Sequence, residues 1–338
     1  MIPARAHASL ELLRTAAALA VVGVHAAAMV LVSLLGGEGS GWWAANLWDA
    51  LCRWCVPVFV MISGAVLLSG PADEAAGDFY RRRAKRLWQP AVFWTLFYLA
   101  LHALTDPLWS PLRAAASIVR GTPWYHLWYL YMLPGLYLLT PFLRRLIAHS
   151  SDAELRGLTA ACCVLAALSA ATPPASATFL TSFLPFTGYF LLGHLLFTHS
   201  TQPRSPRLLM LALSAGILVA LGADLLRPWL GSRAMEVMYA YQNPLVLLMA
   251  VCLFQLGLRQ HAGFITRLAN LCVALAPLSF GIYLIHPLWL LLLAKVGIDG
   301  LLWHPAIGIP LTTLAVFALS ALSTALLLRL PFLKLTVR

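Results

Sequence analysis

Apolar residues run in stretches of about 20 or more along most of this chain, the length a helix needs to cross a hydrocarbon layer of about 30 Å. The polar positions between them are short and rich in Gly, Pro, Ser and Thr. Windows of that size give ten spans, at 10–35, 43–69, 85–105, 126–147, 155–173, 180–198, 207–227, 237–258, 271–294 and 305–329. Backbone groups in lipid must be satisfied inside the protein, so the pattern predicts an all-α integral membrane bundle of about ten transmembrane helices. One domain covers 8–330, and 331–338 is expected to be a short cytoplasmic tail. No internal repeat is evident, so the pattern lends no support to an inverted-repeat transporter.

The polar exceptions inside these runs carry the information. The first run, LELLRTAAALAVVGVHAAAMVLVSLL, holds Arg14 and His25 eleven residues apart. Eleven residues is within ~20° of three helical turns, so both face one way, roughly 16 Å apart along the axis. Glu11, three residues before Arg14, leans on the same face. Arg14 snorkelling to the headgroups and His25 bonding a neighbouring helix would account for the pair. That is the reading the pair alone favours, yet intramembrane ionisable groups are functional candidates by default, and imidazole suits proton transfer near neutral pH.

Charge gives direction. The chain has 23 Lys and Arg and a formal net charge of +11. With the N-terminus in the cytoplasm, the inner set is Arg5, Arg14, Arg81, Arg82, Arg83, Lys85, Arg86, Arg144, Arg145, Arg156, Arg204, Arg207, Arg259, Arg267, Arg329, Lys334 and Arg338, 17 of the 23. Both termini are therefore expected inside. Cations gathered at helix ends meet anionic lipid, so nucleic acid is not an expected partner. With 61% hydrophobic and 10% charged residues, a soluble globular domain is excluded. The six cysteines lie mostly in apolar segments and read as small packing residues; Cys52-Arg-Trp-Cys55 is given no redox role and no metal is expected. The N-terminal run is longer than a signal core and is expected to stay uncleaved.

Four further constellations stand out. In the second span Asp49 and Arg53 are spaced i, i+4 as an ion pair, Pro57 is a kink candidate, and Ser63-Gly64 permits close helix contact. DFYRRRAKRLWQP packs five cations into six residues. It reads as a positive-inside anchor or as an anion site, in which Arg83 and Arg86 face one direction and present forks that suit phosphate. Trp124, Tyr125, Trp128, Tyr129 and Tyr131, with His126 among them, read as an interfacial belt or as a surface for a sugar ring. In the ninth span Ser279, Tyr283 and His286 stand at i, i+4 and i+7 on one face, lining a cavity or packing against neighbours.

Taken together and in order, these segments resemble the acyltransferase family 3 of integral membrane proteins. The resemblance rests on the Arg14/His25 spacing, VPVFVMISGAVLL, FYRRRAKRLWQP, HLWYLYMLPGLYLLTP, FTGYFLLGHLLF and LSFGIYLIHPL. Within the family, the first helix and the HLW segment look most similar to the branch of enterobacterial common antigen O-acetyltransferases and intercellular-adhesion polysaccharide modifiers. The resemblance implies an enzyme of the bacterial inner membrane that moves an acyl group, usually acetyl from acetyl-CoA, to a hydroxyl of a cell-envelope saccharide or lipid-linked glycan. It implies catalytic roles for His25 and Arg14 and a donor-phosphate role for Arg83 and Arg86. Glu11, His126, Trp128, Ser279, Tyr283 and His286 are candidates for the cavity and the acceptor. Acetyl-CoA is a substrate in this reading, and no permanently bound cofactor is expected. Some relatives carry a secreted esterase domain as well; here the membrane domain is expected to act alone or with a separate partner. The alternative is an exporter or flippase of a saccharide or lipid-linked intermediate, with His25 and His286 as relay groups and no acyl transfer.

Overall fold

A computed structural model describes residues 4–34, 39–171, 178–199, 206–258 and 266–338. In chain order its helices are α1 (Ala4–Ser33), α2 (Ser40–Cys52), α3 (Cys55–Leu67), α4 (Ala76–Thr105), α5 (Pro111–Arg120), α6 (Trp128–His149), α7 (Asp152–Ala171), α8 (Thr187–Thr198), α9 (Pro206–Leu225), α10 (Arg227–Leu230), α11 (Arg233–Met238), α12 (Pro244–Leu258), α13 (Thr266–Leu275), α14 (Ser279–Lys295) and α15 (Pro305–Arg329). No strand occurs among the described residues. Of the cations assigned to the inner side, Arg204 and Arg259 lie outside the described residues, as do the side chains of Arg5 and Arg267.

Small side chains make α1 the hub of the bundle. Ala17, Ala18, Ala26 and Ala27 are all but fully buried, which lets helix backbones approach closely, as packing in lipid requires. α1 touches α2, α3, α12, α13, α14 and α15. The most apolar window of this helix is 67% buried, against 17% in α7, which lies at the periphery. A second close contact joins α3 to α8. A Cβ on Gly64 would run into the Phe190 carbonyl, and one on Gly193 into the Met61 carbonyl, so the two glycines let the backbones meet from both sides.

Among the described residues, seven helical stretches are long and apolar enough to cross a membrane: α1, α2 with α3, α4, α7, α9, α13 with α14, and α15. The other three expected spans differ in physical detail. α6 has 22 residues, but its tyrosines, Pro134, Pro141, Arg144 and Arg145 dilute its apolar character. The stretch Leu184–Thr198 that ends in α8, and α12, are shorter apolar helices. α12, at 15 residues, is only about 22 Å long. The second expected span is not one helix with a kink at Pro57. It breaks one turn earlier, at Arg53-Trp54, where Arg53 N–H donates to the Ala50 carbonyl. Pro57 offers no N–H to the Arg53 carbonyl, so the ladder has no reason to run through this point.

The segment after α15 folds back instead of trailing away. A 3-10 turn at Lys334–Thr336 packs on α4 and α15. The Trp94 indole N–H donates to the Thr336 carbonyl at 2.8 Å, and Val337 is fully buried.

Candidate functional site

Three helices bring the sequence candidates to one place. The α1 stripe supplies Arg14 and His25, α4 supplies Arg83 and Arg86, and α14 supplies Ser279 and Tyr283. These six, with His126 and Trp128, line a cavity of about 270 Å³. The i, i+3 spacing of Arg83 and Arg86 thus does turn both toward a common space, and the eleven-residue interval does set Arg14 and His25 on one wall.

His25 sits in an aromatic cage. The Tyr125 ring lies 4.8 Å away, centroid to centroid, and the His286 ring stacks on His25 at 5.2 Å. His286 is held from behind: its Nδ1 lies 2.7 Å from the Tyr283 carbonyl and 3.3 Å from that of Ile282. A ring nitrogen against carbonyl oxygens must be the N–H donor, which in the neutral ring leaves Nε2 as the unprotonated nitrogen. That Nε2 is buried and without a hydrogen-bond partner among the described residues. The Tyr283 hydroxyl donates to the His126 carbonyl at 2.6 Å, and the His126 ring lies 5.3 Å from that of His286. This clasp joins α14 to the segment entering α6. His286 therefore stands one layer behind His25, not on the cavity wall.

Glu11 also lies outside the cavity. Its carboxylate accepts from the Arg14 guanidinium at 2.6 Å, so it neutralises the first charge of the stripe. It lines a second, more open space of about 780 Å³ with His7, Lys85, Gln89, Pro277 and Leu335. Arg14, Arg86 and Arg338 border both spaces and form the threshold between them. Arg83 lies further in, against Phe79 and Tyr137 at 5.5 and 5.8 Å.

The far wall is aromatic: Phe59, Trp128, Tyr129, Tyr241 and Phe280 face the cavity. Trp128 stacks on Tyr241 at 5.6 Å, and the guanidinium of Arg53 lies 5.7 Å from the Tyr241 ring. The expected ion pair of Asp49 with Arg53 is formed, and Asp49 is fully buried. Here the pair supports the wall by fixing a cation against Tyr239 and Tyr241. Helix periodicity does not single out Tyr241, Tyr137 or Arg338 as parts of this cavity. Tyr241 and Arg338 lie in stretches without motif spacing, and Tyr137, within HLWYLYMLPGLYLLTP, meets Arg83 of α4 only through the fold. The Cys52 and Cys55 thiols are unpaired, with Cys55 on the cavity wall, and no cluster suited to a metal ion occurs among the described residues.

An interior pocket with a cationic mouth, a half-buried imidazole and an aromatic wall can hold an anionic group at one end and deprotonate a hydroxyl near the other. Comparison with known proteins agrees in kind. The family model described as Acyltransferase domain, of the acyltransferase 3 group, matches residues 7–328. No curated protein and no solved structure matches the chain.

Proposed function

Since this chain belongs to the Acyltransferase domain family, and so is a membrane acyltransferase, we propose that it moves acetyl from cytosolic acetyl-CoA to a hydroxyl of a cell-envelope saccharide or lipid-linked glycan. The observation that carries this reading is the position of His25, inside a cavity whose opening toward the larger space is bordered by Arg14, Arg86 and Arg338. A polyanionic donor would leave its phosphates at those guanidinium forks. Its thioester arm would run along the α1 stripe for the roughly 16 Å that separates Arg14 from His25. The aromatic wall offers faces on which a saccharide packs.

In the reaction we assign, a ring nitrogen of His25 takes the proton of the acceptor hydroxyl while that oxygen attacks the thioester carbonyl carbon. The tetrahedral intermediate collapses with cleavage of the C–S bond. The departing thiolate recovers the proton from His25, so ester and free CoA are the products and the enzyme returns unchanged. His286, stacked on His25 and tethered to its own helix backbone, keeps the ring from rotating away. The same reading takes the ten spans with both termini in the cytoplasm, placing the arginine threshold on the donor's side of a bacterial inner membrane. It also takes the common-antigen and adhesion-polysaccharide branch as the nearest in substrate class.

The test uses purified protein in nanodiscs with acetyl-labelled CoA and a panel of envelope glycans. Acceptor-dependent release of CoA, lost at least 100-fold in His25→Ala at equal protein level, is the expected result. Label retained without acceptor on the wild type and absent from His25→Ala would instead make His25 the acyl carrier. Glycan transport into vesicles with no CoA released would refute acyl transfer.

A further inference from the structure

The threshold between the two spaces is built from parts of the chain that share no local pattern: Arg14 of α1, Arg86 of α4 and Arg338, which follows α15. Their charges are not equivalent. Arg14 is paired with Glu11 at 2.6 Å. Neither Arg86 nor Arg338 has a carboxylate within salt-bridge distance among the described residues. Two unpaired guanidinium groups bordering one opening repel each other unless an anion joins them, and they stay there only because the backbone holds them.

For Arg338 the holding is specific. The Trp94 indole bonds the Thr336 carbonyl two residues earlier at 2.8 Å, Val337 is fully buried, and Leu335 forms part of the outer space's wall. The segment 330–338 is therefore a strap whose anchoring delivers one side chain to the opening. Nothing in the packing of α4 or α15 requires an arginine at that point, since the side chain itself is exposed.

We propose that Arg338 is a donor-binding residue that, with Arg86, grips the diphosphate of the acyl-CoA at the threshold. This rests on the acetyl-CoA reading above and adds to it a residue and a chemical group. Two forked cations on either side of an opening match two adjacent phosphoryl groups, each fork taking two oxygens of one. The diphosphate is the part of the donor to expect there. With the thioester at His25, the pantetheine arm occupies the length of the α1 stripe, about 16 Å. The next group out is then level with Arg14. The 3′-phosphate would sit beyond it in the larger space, near Lys85.

The experiment measures binding of CoA, dephospho-CoA and pantetheine to the full chain in nanodiscs, for wild type, Arg338→Gln, Arg338→Lys and the remote control Arg113→Gln. Arg338→Gln is expected to weaken CoA and dephospho-CoA alike by about 10- to 100-fold, to leave pantetheine unchanged, and to be partly rescued by lysine. The control should bind like wild type. Equal weakening of all three ligands would mean that the strap acts only structurally, and unchanged binding of all three would remove Arg338 from the site; either overturns the proposal. A loss seen with CoA and not with dephospho-CoA would assign Arg338 to the 3′-phosphate and overturn the diphosphate assignment. Wild-type protein that binds CoA no better than pantetheine would refute the donor reading itself, a result distinct from the other three.

Discussion

Arg144 shows what a buried charge does in this protein when no substrate is involved. Its side chain is 6% exposed; Nε donates to the Leu67 carbonyl at 2.6 Å and one terminal nitrogen to Glu74 at 2.6 Å. The guanidinium closes the carboxyl end of α3, where the last carbonyls of a helix lack partners, and ties it to α6. Glu74 is shared with Arg82, so the clasp also fixes the second turn of α4, and with it the approach of Arg83 and Arg86 to the cavity. Replacing Arg144 by Met leaves a largely buried carboxylate with only one partner, and a cost of about 3 kcal/mol follows. A thermal unfolding midpoint in detergent lowered by several degrees is the expected reading; an unchanged midpoint would mean the clasp contributes nothing. His199 makes the opposite case, at the surface beyond α8. Its ring bonds Asp152 at 2.9 Å, and this bond, with one to the Leu195 carbonyl, raises its pKa above the ordinary histidine value. A raised folded-state pKa means that the small stabilisation is present at acid pH and is lost as pH rises through the folded value. In Asp152→Asn the His199 titration midpoint, read by NMR, should fall back toward about 6.5; a midpoint that stays put would exclude the pair as the cause.

At the scale of elements, legibility depended on how local the determining contacts are. Arg14, His25, Arg83 and Arg86 could be placed because helix periodicity alone turns them to common faces, and the cavity receives all four. Glu11 and His286 lay on the right faces, but periodicity does not say how deep a side chain stands. One pairs with Arg14 in the outer space, and the other stacks behind His25. Span lengths were read less well where packing substitutes for apolarity, as in α12 against α9 and α8 against α3. The α3–α8 pair also makes the sharpest test of helix contact. Ser63-Gly64 was legible as a place of close approach, while Gly193 on the partner helix was not, because its role exists only across the interface. Gly64→Ala and Gly193→Ala would each push a Cβ into a backbone carbonyl that cannot move aside, with a loss of about 1–3 kcal/mol or more. Gly157→Ala in α7 meets nothing within 4 Å and should gain a few tenths to about 1 kcal/mol from helix propensity. Melting of the three variants in detergent checks both signs at once; an α3–α8 pair indifferent to the added methyl would refute the close contact. An insertion of one residue between Arg14 and His25 turns His25 by ~100°, and normal transfer by a folded insertion variant would show that the shared face does not matter.

Over the whole molecule, one cavity, an open space and a polar threshold between them make sense only if the two ends of the bundle face different compartments. The cation distribution supplies that polarity: the helix-end clusters around Arg81–Arg86 and Arg144-Arg145 fall to one side in the ten-span reading, and Arg113, Arg120, Arg227 and Arg233 to the other. α4 carries the argument in a single element. It has 30 residues, about 45 Å of helix against some 30 Å of hydrocarbon, so its first turns reach beyond the core of the bilayer with the cationic run on them. α5 follows after one crossing, and its exposed Leu112 is 80% accessible. If the donor enters from the cytoplasm, Arg81 must face the cytoplasm and Leu112 must not. The measurement is labelling of Arg81→Cys and Leu112→Cys in intact cells with a membrane-impermeant thiol reagent, against permeabilised cells. Leu112→Cys should react in both preparations and Arg81→Cys only after permeabilisation. The native cysteines serve as the background, with Cys55 and Cys252 buried. The reverse pattern would place the arginine threshold away from the cytosolic pool of acyl-CoA. It would thereby remove the donor path, whatever the chemistry at His25.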